Sequence, residues 1–468
     1  MRENISNDTY DTRLYPSDWR FSAAIIGLIQ YFNFHKIPFY KGENYIEYNQ
    51  VDLDRDKYIS FVDNYYEDEL YHNKILKALT KENFDDEDIK NINKLIKANE
   101  VPTYLKSIIG KFKFDGSNSK ELLDLIENDK KNIILKTYLN GKKMYSKYCN
   151  TTKDILCEDK NKKVCRLNGY YVDFGKKSKS ISYKFDNTSF YDVNIKEFDF
   201  IPFSFTKVYQ GLFINSNKSI DSLINVYNAL NRKIKDKNGI DLKINSLNLL
   251  IESFKELESA EYFDVEIITK SISKDYYETI YITKDIIDII KNANSIKSLY
   301  NFYIEDIDYN FFKIFEDITN MKRFDNLIIR LLKQTFSSTN LDFSYVKWLN
   351  SLIELNYLIY NTYNGGNKIK MKDSQKSAYA AGKNVSEILL SRNQKNKIKT
   401  YQQKLIVALS NNNADKIFEI ITHISQFTGV NIKFIYNLLE DYEENKNLVY
   451  TFIMAMNPEI KKDENKGE

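Results

Sequence analysis

The sequence is poor in the residues that interrupt helices or build covalent frameworks. Its 468 residues include only five prolines and 14 glycines, so long helices are favoured and no Pro/Gly-rich linker marks a domain boundary. The three cysteines, Cys149, Cys157 and Cys165, are too few for a disulfide framework, and an odd number favours a reducing compartment. We therefore expect several domains or subdomains in a cytoplasmic protein.

Long apolar runs are also scarce. The first 20 residues are polar, and the apolar run from Phe21 to Ile29 is interrupted by Ser22. Such a run is too short to cross a bilayer and lacks the pattern of a secretory signal. We expect no membrane association.

Catalytic motifs are not evident either. There are only three histidines, His35, His72 and His423, and no His-Glu-x-x-His motif or close His/Asp cluster surrounds them. His423 lies among apolar residues of a predicted helix, which favours a packed or capping role. Gly382-Lys383 has no glycine five residues earlier and is followed by Asn384, so it is not a phosphate-binding Walker loop. The sequence predicts no catalytic residues and no cofactor.

Hydrophobic periodicity predicts an α+β, predominantly α-helical fold. A first helix follows the N-cap Asp18 and ends before Pro38, and another follows the acidic residues 85–88. Aromatic and β-branched runs between Val164 and Ile214, such as 170–174 and 181–185, are typical of antiparallel strands, and residues 263–268 and 279–282 suggest a hairpin. Later helices are predicted within 245–257, 285–290, 327–332, 346–359, 385–409, 414–427, 434–439 and 448–456.

These patterns divide the chain into five segments, of which the turn Asn364-Gly365-Gly366-Asn367 provides the clearest boundary. We expect a helical N-terminal region at 1–148, a β-rich mixed region containing the cysteines at 149–300, a helical connector at 301–363, a basic helical bundle at 364–458, and a disordered tail at 459–468.

The cysteines leave two interpretations open. Cys149, Cys157 and Cys165 are each separated by seven residues, and the sequence has no Cys-x-x-Cys pair of the kind that points two thiolates at one zinc ion. An irregular zinc site is one interpretation. Free thiols that remain from a lost site are the other, and we favour it.

Basic residues near the cysteines are candidates for phosphate contacts. Together with the predicted aromatic strands they would form a groove that follows a nucleic-acid backbone. A solvated loop surface is the alternative for any one of them. The candidates are Lys142, Lys143, Lys162, Lys163, Arg166, Lys176, Lys177 and Lys179.

The strongest charge anomaly lies in the C-terminal third. Residues 368–404 contain ten basic residues against two acidic ones, a local charge of +8, while the rest of the chain carries −5 of the total of +3. If Ser386 to Leu409 form one helix, Arg392, Lys395 and Lys399 share a face, and no acidic residue lies between Glu387 and Lys404. We interpret this segment as nucleic-acid-binding. Its basic residues are Lys368, Lys370, Lys372, Lys376, Lys383, Arg392, Lys395, Lys397, Lys399 and Lys404.

Four stretches of the sequence resemble a known family, the large subunit of the type I-B CRISPR interference complex (Cascade), in its CXXC-CXXC branch. They are residues 18–32 (DWRFSAAIIGLIQYF), the segment from Cys149 to Cys165, FDFIPFSFT with the nearby GLFINSN, and residues 378–409, which begin AYAAGKNVSEILL. The paired Cys-x-x-Cys motifs of that branch are missing here, so the family's zinc does not carry over.

The resemblance implies a non-catalytic subunit of a crRNA-guided surveillance complex with an antiviral function. Such a subunit recognises the motif flanking the DNA target, helps open the duplex, and recruits a helicase-nuclease. Its C-terminal bundle resembles the small subunits of the complex and holds DNA strands. The partners implied are crRNA, target double-stranded DNA, the backbone, crRNA-handle-binding and small subunits, and the helicase-nuclease.

Two other functions fit the sequence. One is a metal-dependent nuclease with carboxylate ligands that form no recognisable motif, and the other is a protein-interaction scaffold whose basic helix meets an acidic partner. Met371 lies just beyond the Gly-Gly turn. An internal translation start at Met371 would yield a separate product resembling a small subunit.

Overall fold

The computed structural model describes most of the chain as two compact units, Met1–Ile282 and Thr283–Glu468. The described residues are 1–5, 9–81, 83–150, 154–158, 166–167, 195–207, 210–216, 218–236, 246–256, 264–271, 276–337, 343–364 and 368–457. Helices dominate them, with small antiparallel sheets, which confirms the predicted α+β, predominantly helical class.

The first unit alternates short strands with helices of four to 17 residues. Its strands are β1 (Arg2–Asn4), β2 (Thr12–Leu14), β3 (Tyr40–Lys41), β4 (Ile46–Tyr48), β5 (Gln210–Asn215), β6 (Val265–Ser271) and β7 (Tyr277–Ile282). Its helices are α1 (Trp19–His35), α2 (Arg55–Tyr65), α3 (Tyr71–Ala78), α4 (Asp86–Lys97), α5 (Thr103–Ile109), α6 (Ser119–Asn128), α7 (Lys130–Asn140), α8 (Tyr145–Tyr148), α9 (Ile220–Asp236) and α10 (Ser246–Glu256), with 3₁₀-helices at Gln50–Asp52 and Lys196–Phe203.

Two antiparallel sheets belong to this unit. The first has the order β1-β2-β4-β3, and the second has the order β5-β6-β7. In the second sheet Ile267 pairs with Ile280 and Phe213 with Ile268, so the predicted hairpin of 263–268 and 279–282 is confirmed. The first sheet was not apparent from the sequence, because strands of two or three residues are too short to show alternation.

Helix α1 occupies the centre of the first unit. Asp18 caps it as predicted, accepting a hydrogen bond from the backbone N–H of Arg20, and Lys36 closes it in the left-handed conformation. Thirteen of its 17 residues are buried. The helix packs closely on the 3₁₀-helix Lys196–Phe203, and a Cβ at Gly27 would lie 2.1 Å from the carbonyl oxygen of Phe200. Only glycine permits this approach of the two backbones.

The stretch FDFIPFSFT lies within the region 164–214 in which antiparallel strands were predicted, but it is mainly this 3₁₀-helix. Its carbonyl groups are held by side chains of the surrounding helices: Gln30 Nε2 donates to the Phe203 oxygen at 2.9 Å and the Tyr58 hydroxyl donates to the Asp199 oxygen at 2.7 Å. Alternating phenylalanines imitated a strand, but tertiary contacts decide the conformation. The predicted strands at 170–174 and 181–185 lie outside the described residues.

A second, smaller core is formed by α3 to α7. Helix α4 begins at the acidic residues 85–88, as predicted. The Asp85 side chain accepts a hydrogen bond from the N–H of Asp88 at 2.7 Å, and the Asp88 side chain accepts one from the N–H of Asp85. This capping box satisfies two backbone donors at the helix start. Ile92 and Ile96 carry the buried face.

The second unit is almost entirely helical in its described part. Its helices are α11 (Lys284–Asn292), α12 (Phe311–Thr319), α13 (Asp325–Ser337), α14 (Phe343–Asn364), α15 (Lys368–Ser391), α16 (Lys395–Ser410), α17 (Ala414–Thr428), α18 (Ile435–Glu440) and α19 (Tyr442–Ala455). Short 3₁₀-helices at Ile296–Leu299 and Glu305–Ile307 and a hairpin of β8 (Tyr303–Ile304) and β9 (Tyr309–Asn310) complete it. The helices predicted after Tyr300 are confirmed, apart from one that is divided in two.

Helix α15 packs on α19 over much of its length. A Cβ at Gly382 would lie 2.5 Å from the carbonyl oxygen of Phe452, so the Gly382-Lys383 pair reflects close helix packing. A polar cluster joins α13, α14 and α19: Asp325 accepts hydrogen bonds from Asn356 at 2.6 Å and Tyr450 at 3.1 Å and forms an ion pair with Lys446 at 2.8 Å.

Candidate nucleic-acid interface

The helix predicted from Ser386 to Leu409 is two helices, which changes the arrangement of its basic residues. α15 ends at Ser391, and Asn393 adopts a φ of 55°. The N–H of Gln394 donates to the Leu389 oxygen at 2.8 Å and that of Asn393 to the Leu390 oxygen at 2.9 Å. This is the hydrogen-bond pattern of a Schellman C-cap, which asparagine tolerates at the left-handed position. α16 then begins at Lys395.

The lysines of α16 form two pairs on opposite edges of its exposed surface. At about 100° per residue, Lys395 and Lys399 lie one turn apart on one edge, and Lys397 and Lys404 lie two turns apart on the other. All four are exposed. None of them has an ion-pair partner in the part of the chain that the structure describes, and the sequence from 388 to 414 contains no acidic residue.

Arg392 does not continue the edge formed by Lys395 and Lys399, as a single helix would require. Its Nη1 donates to the carbonyl oxygen of Phe427 at 3.0 Å, and its guanidinium carbon lies 5.9 Å from the ring centroid of Phe427. Lys397 Nζ lies 3.5 Å from the same centroid. Two cations therefore meet at the C-terminus of α17, where the helix dipole favours positive charge. Both side chains remain exposed.

A groove of about 1020 Å³ runs between α16 and α17. The two helices are joined by the short turn 411–413, and Asn413 caps α17 by accepting from the N–H of Lys416 at 2.9 Å. Lys404 lines the groove. Near the turn the lining is less basic, because Lys416 forms an ion pair with Glu419 at 2.7 Å and this hydrogen bond lowers the pKa of Glu419.

His423 faces this groove and is exposed, so the packed role predicted for it is wrong. Its Nδ1 lies 3.3 Å from the hydroxyl of Tyr401. Its ring plane is within 3° of parallel to that of Phe427, at a centroid distance of 6.4 Å. The ring thus has one aromatic neighbour on α16 and one on α17.

The basic residues of α15 are less closely grouped. Lys376 is exposed and lies 3.7 Å from Asp373, and Lys383 is half-buried. The backbone positions of Lys368, Lys370 and Lys372 belong to the first turns of α15, but their side chains lie outside the described part. The structure therefore brings Arg392 and Lys397 together at Phe427, and places Lys404 in the groove two turns farther along α16.

In the first unit the predicted basic residues differ in their surroundings. Lys142 and Lys143 are exposed in the turn after α7. Arg166 is only 1% exposed and forms an ion pair with the buried Asp199, so its role is structural and the predicted nucleic-acid contact is wrong. The remaining candidates, Lys162, Lys163, Lys176, Lys177 and Lys179, lie outside the described residues.

The cysteine segment is tied to the 3₁₀-helix Lys196–Phe203. Cys149 is buried with its Sγ 3.6 Å from the Phe198 oxygen, whereas Cys157 is exposed. Cys165 lies outside the described residues. Among the residues that the structure describes, no three His, Cys, Asp or Glu side chains are grouped as metal ligands.

Comparison with known families gives a match over most of the chain. The family model for CRISPR-associated protein Csx8 matches residues 10–248 and 227–456, which together span nearly the whole chain. The chain belongs to this CRISPR-associated family. No curated protein and no solved structure matches the chain significantly.

This family membership confirms the expectation of a CRISPR-associated protein in antiviral defence. In the described part of the chain no helix combines the length and apolar character needed to cross a bilayer.

Proposed function

We propose that this chain is a non-catalytic large subunit of a crRNA-guided type I-B CRISPR surveillance complex, and that the exposed basic surface of α16 holds nucleic acid. We call Arg392, which precedes α16, together with Lys395, Lys397, Lys399 and Lys404 the α16 surface. The observation that carries the proposal is four exposed lysines on one helix, without ion-pair partners in the described part of the chain. Unneutralised lysines bind phosphates by releasing counterions.

The arrangement favours contact with the backbone over the reading of sequence. Lysine is a flexible point charge that binds phosphate at many angles, whereas base recognition requires side chains in fixed, bidentate geometry. The two lysine pairs lie on opposite edges of α16 and so face different directions. We therefore propose that the α16 surface positions strands while crRNA pairing supplies specificity.

The finer roles of the proposed subunit rest on its resemblance to the type I-B large subunits. They are recognition of the motif flanking the target, help in opening the duplex, and recruitment of a helicase-nuclease. In the assembled complex, crRNA, target DNA and the backbone, crRNA-handle-binding and small subunits would be its partners.

The experiment replaces Lys395, Lys397 and Lys399 by glutamine and measures target binding by the assembled complex across a salt series. Each lost phosphate contact with duplex should reduce the slope of log K against log salt by about 0.9, and with single strand by about 0.7. The matched control replaces Lys297, Lys322 and Lys433, which are exposed lysines elsewhere in the second unit. Equal effects of the two triple variants would reject the α16 surface as the binding site.

Two further measurements address the rival functions. Purified chain incubated with Mg²⁺ or Mn²⁺ and DNA or RNA should leave both intact, and metal-dependent cleavage that is lost on carboxylate substitution would establish a nuclease. The natively purified assembly should contain nucleic acid. Its absence would favour a scaffold whose basic helix meets an acidic protein.

A further inference from the structure

His423 is an exposed aromatic ring with an aromatic neighbour on each of the two helices. Tyr401 is only 6% exposed, and its hydroxyl lies 3.3 Å from Nδ1 of His423. The ring is also parallel to Phe427, one helical turn away. A flat ring that is ordered before a ligand arrives loses little conformational entropy when a second flat group stacks on it.

The walls around His423 offer hydrogen-bonding groups that the protein leaves unused. Gln403 and Gln426 both line the groove, and the described residues provide no hydrogen-bond partner for either side chain. Both side chains are exposed, so their amide groups can donate hydrogen bonds to a polar ligand in the groove and accept them from it.

The groove combines these polar groups with apolar surface and with nearby lysines. Val407, on the α16 wall of the groove, is 57% exposed. Lys404 lines the groove, and Lys397 lies at the end of α17. A ligand with a flat face, a hydrogen-bonding edge and a negatively charged backbone matches this combination, and a nucleotide chain has all three.

We propose that the groove between α16 and α17 binds unpaired bases of a single-stranded polynucleotide, with one base stacked on His423 and the adjacent phosphates near Lys397 and Lys404. This inference rests on the proposed function and specifies single-stranded nucleic acid as the form that binds at the groove. Bases of a duplex are stacked within it and do not reach a ring between two helices.

Charge indicates where the strand lies. The end of the groove near the turn 411–413 carries Asp415 and the Lys416–Glu419 pair, so it offers no net attraction for phosphates. The other end, near Arg392 and Lys397, is positive. The strand therefore follows the Lys397 end of the groove, and the acidic end limits its extent.

The experiment compares binding of a thymidine oligonucleotide with binding of an abasic oligonucleotide of equal length, using the full chain and its variants. Both probes carry the same phosphates, so their difference reports the bases. Wild-type protein should bind the thymidine probe at least about fivefold more tightly, the lower range for one stacked base. His423→Ala should remove this preference, while His423→Phe, which keeps a ring, should retain most of it.

The outcomes separate this inference from the proposed function. Equal binding of the two probes by wild-type protein, or an unchanged preference in His423→Ala, would reject base stacking at the groove. If affinity for both probes is also insensitive to the triple lysine substitution, the proposed function itself fails. A matching uridine RNA probe distinguishes an RNA strand from a DNA strand as the preferred ligand.

Discussion

Arg166 and Asp199 form an ion pair in the core of the first unit, where both side chains are at most 1% exposed. Asp199 also accepts from the Tyr145 hydroxyl and the N–H of Leu156, each at 2.6 Å, and Arg166 donates to the Cys157 oxygen. Burial alone would lower the pKa of Arg166, but the Asp199 charge raises it above its ordinary value. The pair fixes the cysteine segment to the 3₁₀-helix Lys196–Phe203.

Replacing Arg166 by methionine should destabilise the first unit strongly. The substitution leaves the Asp199 carboxylate buried without its counter-ion, which typically costs about 3–5 kcal/mol of unfolding free energy. Scanning calorimetry of the full chain should show a lower transition temperature for this variant, and adding Asp199→Asn should recover part of the lost stability. Lys142→Met, at an exposed position, serves as the control, and an equally small change in Arg166→Met would contradict the role of the pair.

Gly27→Ala tests the close packing of α1. Helix propensity alone predicts a gain of up to about 1 kcal/mol from this substitution. The added Cβ would instead lie 2.1 Å from the Phe200 oxygen, and forced overpacking of this kind typically costs about 1–3 kcal/mol. The sign of the change in unfolding free energy therefore shows whether helix propensity or overpacking dominates. A denaturation midpoint that rises in Gly27→Ala would show that the two backbones are farther apart.

Much of the helical architecture followed from local signals. Asp18 and Asp85 are N-caps that act within three residues of their own position, and such short-range chemistry is visible in a sequence. The 3₁₀-helix Lys196–Phe203 was not predicted within the region 164–214, because alternating phenylalanines also fit a strand and its conformation depends on contacts with α1. Very short strands such as β2 likewise depend on pairing partners farther along the chain, since Thr12 pairs with Tyr48 of β4.

The candidate interface was predictable in composition and only partly in geometry. The lysines of α16 were found from charge alone. Asn393 did carry a signal for the helix break, since asparagine favours the left-handed position at helix ends. The contacts of Tyr401 with His423 and of Lys397 with Phe427 join residues 22 and 30 positions apart. They depend on how α16 and α17 pack, which periodicity does not show.

Lys147 should make the stability of the first unit depend on pH. It is 5% exposed, and burial lowers its pKa to about 7, with contributions from Lys270 and Lys143. Between pH 7 and its ordinary pKa of 10.5, the unfolded chain holds a proton that the folded chain has released. Stability therefore rises with pH over this window, by at most about 1.4 kcal/mol per unit, and is constant with respect to this group below it.

Urea denaturation at pH 7, 8 and 9 would measure this dependence before tyrosines of the unfolded chain ionise. The wild-type midpoint should rise across the series. Lys147→Met should raise the midpoint at pH 7 and flatten the rise, whereas Lys142→Met, exposed in the same turn region, should leave the wild-type slope intact. A slope that persists in Lys147→Met would assign the pH dependence to another group.

Translation from Met371 would produce a helical fragment of defined content. Met371 is the fourth residue of α15, so the product would retain nearly all of that helix together with α16 to α19. It would keep the packing of α15 on α19, including the close contact at Gly382, and the whole α16 surface. It would lose α14, whose buried side chains also pack on α19.

We expect mass spectrometry of the native complex to reveal a product whose N-terminal peptide begins at Met371. The α19 surface left by the absence of α14 should cause this product to associate with other subunits, because exposed apolar faces favour association. Met371→Leu should eliminate the short product and leave the full-length chain, since internal initiation requires the methionine codon. A fragment that persists in Met371→Leu would instead arise by proteolysis, and consistent absence of any fragment would reject the internal start.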